Sequence, residues 1–336
     1  MRAAKITGFG GYLPPNVVKN TDLEKTLDTT HDWIVQRTGI EQRHWVNADQ
    51  ATSDLALEAS LVAIKNAGID KNKIDMIVVA TSSPDYDIPG TAAVLQAKLG
   101  LPLIPYFDIR QACSGFVYGL SIADKFIRSG SHECVLVVGA EVQSKALDLT
   151  PNGRNVSALF GDGAGAVIVQ ACEVKDVNKE PHIVCTELHA DGQHHKELWM
   201  PGPGSALGPR RVTEAMITDG VIFPEMNGRL VFTHAVTRMP EVMQSALKTA
   251  NIDIKKVDHF FFHQANLRIN QKVADDLGIE QSKVHNTIHK FGNTTAATIP
   301  LGMYDAFQAG KLKPGMTLGL AAFGAGFTWA SAVVRI

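Results

Sequence analysis

Cysteine is scarce and scattered. Cys113, Cys134, Cys172 and Cys185 form no CxxC pair and stand at no Cys/His spacing of the kind a zinc site needs, so neither a metal site nor a disulfide framework is expected. An excess of one charge is also missing. Lys plus Arg number 32 against 34 Asp plus Glu, a net charge of -2, which provides no broad field to attract nucleic acid or an anionic membrane. No uninterrupted apolar run is long enough to span a bilayer. The opening "MRAAKITGFGGYLPP" alternates into a Gly/Pro turn and lacks the continuous apolar stretch of a signal peptide. These absences point to a cytoplasmic enzyme or scaffold that takes neither nucleic acid nor membrane as partner. With 336 residues, 45% of them hydrophobic and 20% charged, the chain can bury a sizeable core in two domains or one large one.

An internal repeat organises it. "AIKNAGIDKNKIDMIVVA" (63–80) and "ALKTANIDIKKVDHFFFH" (246–263) lie 183 residues apart and are identical at 7 of 18 positions. Each reads as a helix end, a turn around Ile-Asp and a strand. A second alignment, at an offset of 180, sets Cys113 opposite Asn293 and Gly130 opposite Gly310. The expectation is two α/β halves related by a pseudo-two-fold axis, residues 1–172 and 173–336, joined through the charged segment "QACEVKDVNKEP" at 170–181. Val-, Ile- and Phe-rich strands alternating with helices predict mostly parallel sheets buried on both faces, with functional groups at the carboxyl ends of strands.

Chemistry-bearing residues fall at such ends. In "YFDIRQACSGFVYGL" a short run reads as a buried strand, and Cys113, Phe116, Leu120, Ala123 and Ile127 then follow the period of one buried helix face. Cys113 therefore stands near a helix N-terminus, pointing inward. Such a thiol either simply packs as a small hydrophobe or, under the helix dipole and free N–H groups, favours its nucleophilic thiolate. His263 ends the run "FFFH" before an amphipathic helix; packing and catalysis are both open to it. Asn293 follows Gly292 at a helix head, where Asn commonly caps. Gly324-Ala325-Gly326 joins two strand-like runs and reads as a tight turn able to aim N–H groups at a ligand. "FGDGAGAVIV" (160–169) runs into a strand and opens no helix, so it is not a nucleotide cradle.

"QACSGF", "HQANLRI", "HKFGNTTAA" and "FGAGFTWASAVVR", with "YLP", "HDWIVQRTGI" and "HADG", resemble the signature segments of the β-ketoacyl-acyl-carrier-protein synthase III family over nearly the whole chain. The resemblance implies a thiolase-like fold, a homodimer and the condensation that initiates fatty acid synthesis. It makes Cys113 the nucleophile that accepts an acyl group from an acyl-CoA, with His263 and Asn293 completing the site for malonyl-acyl-carrier protein. Backbone N–H groups of Cys113 and Ala325 are the candidates for an oxyanion hole. No metal and no cofactor is implied, acyl-CoA being a substrate. Trp33 and Arg37, at i and i+4, offer a flat surface beside a cation for the nucleotide, although a packed Trp and a solvated Arg fit the same spacing. Position-by-position match adds Arg154, Phe232 and Asn266 to the coenzyme A contacts. Arg268 and Lys272 are candidates for contacting the acyl carrier protein.

Some residues depart from the family pattern. Asp275 and Asp276 stand where basic residues facing the carrier are common, Arg229 where an Asn is expected, and Ile88 at a position often aromatic in acetyl-selective enzymes. Ile88 is therefore read as part of the acyl pocket, with a primer larger than acetyl. The segment 194–228, containing Arg210 and Arg211, is either a surface elaboration or a wall of the acyl tunnel. The principal alternative is a related condensing enzyme of secondary-metabolite or signal synthesis using a non-acetyl primer. A degradative thiolase would need a second cysteine near "FGAGFTW", which has none. A Cys-His-Asn hydrolase and an inert scaffold are the remaining readings.

Overall fold

The structure is a computed structural model describing Met1–Ile336. In the first half, β1 (Arg2–Tyr12), α1 (His31–Thr38), α2 (Thr52–Ala67), β2 (Met76–Ala80), α3 (Thr91–Leu99), β3 (Tyr106–Ile109), α4 (Gly115–Arg128), β4 (Cys134–Glu141) and β5 (Gly163–Glu173) follow in order. In the second come β6 (His182–Ala190), α5 (Gly228–Ala250), β7 (His259–Phe262), α6 (Leu267–Leu277), α7 (Thr298–Gln308), β8 (Thr317–Gly324) and β9 (Thr328–Arg335). No helix is long and apolar enough to cross a membrane.

The two sheets share one topology. The first runs β1-β5-β4-β2-β3 and the second β6-β9-β8-β7, with Val284 bridging Phe260 in parallel at the position β3 holds in the first. Each is mixed: β4, β2 and β3 are parallel, whereas β5 is antiparallel to both β4 and β1, so the expected mostly parallel sheet is corrected. The antiparallel pairs β4–β5 and β8–β9 are sequence neighbours, joined by the loop 142–162 and by the tight turn after Gly324, whereas β1 and β6 pair antiparallel with strands far along the chain. Residues 174–181 connect β5 to β6, and the boundary drawn at 172 falls within the last residues of β5.

Continuous apolar runs in the strands are explained by burial on both faces. Met76 and Val78 of β2 face a core shared with Phe116, Leu120 and Ile127 of α4 and Ile299 and Met303 of α7, between the sheets. Ile77 and Val79 face the opposite way, onto α2 and α3. On the second sheet Phe261 points to the shared core, and Phe260 and Phe262 pack under α5 and α6. The layers are therefore helix, sheet, helix, sheet, helix, with α4 and α7 central.

The repeat is visible at the level of individual turns. Gly68 and Asn251 terminate α2 and α5 in the left-handed conformation. Asp70 and Asp253 each cap the following turn, accepting from Asn72 N–H and Lys255 N–H at 2.9 Å in both. At the heads of α4 and α7 the structure corrects the 180-residue alignment. The left-handed residues there are Ala112 (φ 42°) and Thr295 (φ 49°), 183 apart, so Cys113 is equivalent to Ala296 and not to Asn293. Because α4 has 14 residues and α7 only 11, the offset shrinks from 183 to 180 by the helix ends, where Gly130 and Gly310 do correspond.

The strand β3 is an exposed edge, another correction. Tyr106 and Phe107 are 41% and 39% accessible, because β3 has a hydrogen-bonded neighbour on one side only.

Candidate active site

Cys113 lies in a short 3-10 turn (Ala112–Ser114) that feeds directly into α4, so its N–H belongs to the unpaired set at the helix head. The opposite half holds it in place. Ser114 Oγ donates to the Thr328 carbonyl at 3.0 Å, and Gly324 at the end of β8 sits so close that a Cβ there would lie 2.5 Å from Cys113 Cβ and 2.9 Å from Sγ. Only glycine permits this approach. The N–H groups of Cys113 and Ala325 face the sulfur.

The thiol is not stored as a thiolate. Burial pushes its pKa up to about 12, with the nearby Glu141 carboxylate adding to the rise, and the two N–H groups oppose this only in part. Desolvation thus works against the thiolate at this helix head.

His263 follows the last residue of β7 and is 2% exposed. Its neighbour Gln264 braces the turn: Oε1 accepts from Thr287 and Ile288 N–H at 3.0 and 3.1 Å, and Nε2 donates to the Phe262 carbonyl at 2.8 Å. Imidazole Nδ1 lies 2.8 Å from Thr298 Oγ1, and the buried Nε2 has no protein partner. Burial lowers the pKa of His263 to about 3, keeping it neutral. Asn293 Oδ1 accepts from Thr295 N–H at 2.9 Å in a local Asx turn; the cap position of the following turn is Thr294, so the N-cap expected at Asn293 is corrected. With Oδ1 so engaged, Nδ2 is the group left to donate to a ligand.

These three residues line one cavity of about 540 Å³. Cys113, His263 and Asn293 are buried in its wall, at 7%, 2% and 4% exposure, and Arg37, Arg229 and Arg268 are among its exposed lining residues. No acidic side chain lines it. At the mouth Trp33 lies between two guanidinium groups, Arg37 at 4.4 Å and Arg154 at 4.9 Å from the ring centre. Arg154 also contacts Asp28 at 3.1 Å. Asn266 caps α6 through Arg268 N–H and donates to the Arg37 carbonyl at 2.9 Å, clamping the two arginine-bearing elements together. Phe232 lines the wall beside Ala235 and Met239 of α5.

Other predicted positions are elsewhere. Ile88 is 86% exposed and does not line the cavity of its own chain, so nothing within the chain makes it an acyl-pocket residue. Lys272 stands outside the cavity and is paired with Asp276 on the same helix face. The 194–228 segment does more than elaborate the surface: Leu198 and Met226 line the cavity wall, and Arg211 meets Asp87 at 2.7 Å.

Two participants were missed. Glu141, fully buried at the end of β4, accepts from Ser82 N–H at 3.1 Å, Ser83 Oγ at 2.6 Å, Gln143 Nε2 at 3.0 Å and the N–H of Ala296. Thr298 contacts His263. Neither belongs to a spaced motif, and a carboxylate ending an otherwise apolar strand was the only signal available for Glu141.

Comparison with known proteins decides the family. The model of the 3-oxoacyl-[acyl-carrier-protein (ACP)] synthase III family matches residues 107–192, and that of its C-terminal part matches residues 247–336. A β-ketoacyl-[acyl-carrier-protein] synthase III from Ehrlichia canis is 43% identical over 336 residues, covering 100% of both chains. One from Rhodospirillum rubrum is 44% identical over 332 residues, covering 98% of each. The chain belongs to the β-ketoacyl-[acyl-carrier-protein] synthase III family. It is thus a condensing acyltransferase. The crystal structure of the 3-oxoacyl-[acyl-carrier-protein] synthase III from Aquifex aeolicus superposes with a TM-score of 0.89 at 38% identity, covering 99% of this chain and 100% of that one, which bears out the thiolase-like fold.

Proposed function

We propose that this synthase III condenses an acyl-CoA primer with malonyl-acyl-carrier protein, releasing carbon dioxide and a 3-oxoacyl-acyl-carrier protein, through an acyl-Cys113 intermediate. The observation that carries it is the convergence of a buried Cys, a neutral His and an Asn fixed by its Oδ1 in one cavity whose mouth is lined with arginines. Trp33, Arg37, Arg154, Phe232 and Asn266 would hold the coenzyme A, its phosphates facing cations and its base meeting the indole. Arg268 and Lys272 would meet the carrier.

In the first half-reaction the Cys113 proton passes to the bare Nε2 of His263 as sulfur attacks the thioester carbonyl. Negative charge on that oxygen develops against the N–H groups of Cys113 and Ala325. The C–S bond to coenzyme A then breaks, and the departing thiolate takes the proton from Nε2. In the second half-reaction the malonyl carboxylate leaves as carbon dioxide, and the thioester oxygen gathers the enolate charge. Nε2–H of His263 and Nδ2–H of Asn293 stabilise that charge, which exists only as the bond breaks. The enolate carbon attacks the acyl carbonyl, and Cys113 leaves as a thiolate that regains a proton from water. No step calls on a metal or redox group.

A homodimer in the cytoplasm completes the proposal. The exposed edge strand β3, with Tyr106, Phe107 and the fully accessible Leu103 beside it, is an apolar, unpaired edge of the type that a second copy covers. Incubation of the protein with separate acyl-CoA donors and malonyl-carrier protein should yield the 3-oxoacyl carrier product and one carbon dioxide per turnover. Free acid, or no product with any donor, would contradict the reading. A preference for donors other than acetyl-CoA would favour the secondary-metabolite or signal-synthesis alternative.

A further inference from the structure

Thr298 Oγ1 lies between two groups, 2.8 Å from His263 Nδ1 and 3.0 Å from the Thr295 carbonyl oxygen. A hydroxyl has one proton to give, so only two patterns are possible. In one, Nδ1–H donates to Oγ1, the hydroxyl donates to Thr295, and Nε2 is a bare acceptor; two internal hydrogen bonds form. In the other, the ring has given its Nδ1 proton to water of the open cavity and taken one back from it at Nε2, and the hydroxyl, keeping its own proton, turns to donate to Nδ1. That leaves one internal bond, because Nε2 is buried without a protein partner. Thr295 is not orphaned by the turn, since its carbonyl also accepts the Thr298 backbone N–H.

The count favours the acceptor form of Nε2 when the site is free. A substrate oxygen placed before Nε2 and Asn293 Nδ2 raises the donor form to two bonds as well, and only that form can bind the oxygen. We propose that Thr298 is a positioning residue whose hydroxyl rotation selects the tautomer of His263: proton acceptor for the acylation half-reaction, proton donor for the condensation half-reaction. The turn that carries it is rigidly tied to the site, because Thr295 N–H is held by Asn293 Oδ1 at 2.9 Å and Thr295 itself is left-handed. One short segment therefore aims the Asn293 amide and presents the carbonyl against which the Thr298 hydroxyl rests.

This inference rests on the proposed two-step reaction, and its test separates the two. The protein labelled with ¹⁵N-histidine, with the His263 signals assigned by their loss in His263→Ala, should show Nδ1–H when free. It should show Nε2–H when saturated with sulfoacetyl-CoA, a malonyl thioester analogue whose sulfonate cannot leave as carbon dioxide. The same tautomer in both states would overturn the proposal, whatever product the enzyme makes. Thr298→Val keeps the shape and removes the hydroxyl. It should lower malonyl-CoA decarboxylation about 10- to 100-fold more than it lowers Cys113 acylation, the scale of a weakened oxyanion donor, and Thr298→Ser should bring the two rates back into proportion. Equal losses in both half-reactions, or a Ser variant no better than Val, would count against it. The wild-type spectra stand even if the Val variant does not fold.

Discussion

The two halves build the same junction and use it in opposite ways. In the first half the strand β2 ends in Ala80 and the turn before α4 presents Cys113; in the second, β7 leads to His263 and the turn before α7 presents Ala296. Both turns contain a left-handed residue and both expose a helix-head N–H. On the Cys113 side the neighbouring strand ends in Gly324, whose missing side chain leaves room for the thiol. On the other side the equivalent strand ends in Glu141, whose carboxylate accepts the N–H of Ala296. The backbone of Ala296 also presses on β4, where a Cβ on Gly139 would lie 2.3 Å from its carbonyl oxygen. The two equivalent helix heads therefore differ: one borders the cavity and the other is filled from within by Glu141. Cys113 comes from one half and His263 and Asn293 from the other, so the cavity that holds all three exists only where the halves meet.

Breaking the open side should have the largest effect. Gly324→Ala forces Cys113 to move by about an ångström, and a displacement of that size costs about 100-fold in rate. Acylation of Cys113 in single-turnover experiments should fall by at least that factor while thermal unfolding stays cooperative; a fall of less than about threefold would show that the close approach does not position the thiol.

A smaller effect is expected on the filled side. The pKa of Glu141 is raised from 4.5 to about 7 by burial, against the pull of its hydrogen bonds. A carboxyl with a raised folded-state pKa adds stability below its unfolded value and loses that contribution as pH rises through about 7. Between pH 5 and 8 the wild type should lose about 1–3 kcal/mol relative to Glu141→Gln in denaturant titrations. Parallel pH dependence in the two proteins would mean that Glu141 is ionised throughout. Removal of the charge should also lower the Cys113 pKa, seen as faster alkylation at a fixed pH.

Much of this comparison was legible before the fold was known. Strand-end placement marks Cys113, His263 and Asn293 only as candidates, and the resemblance to the synthase III family joins them in one site; the 183-residue repeat and the two α/β halves follow from local identity. The residue-level equivalence did not, because α7 is three residues shorter than α4 and a loop glycine fixes only the far end of the helix. The state of the thiol was also hidden: a helix head is visible in a sequence, whereas desolvation depends on the sheet and hairpin packed over it. Residues such as Glu141 and Thr298 act through one or two contacts with distant segments, and single polar residues carry no period. Exposure of β3 and of Ile88 likewise depends on which strand lies at an edge, which the alternation of apolar residues does not encode.

The central claim is that the open junction makes Cys113 the acyl carrier. Intact-protein mass spectrometry after incubation with individual acyl-CoA donors tests it most directly. One acyl mass should appear on the wild type, be absent from Cys113→Ser measured as a thioester, and be discharged by malonyl-carrier protein into a 3-oxoacyl product. An adduct that persists in Cys113→Ala, or no adduct with any donor that nonetheless supports condensation, would contradict the account.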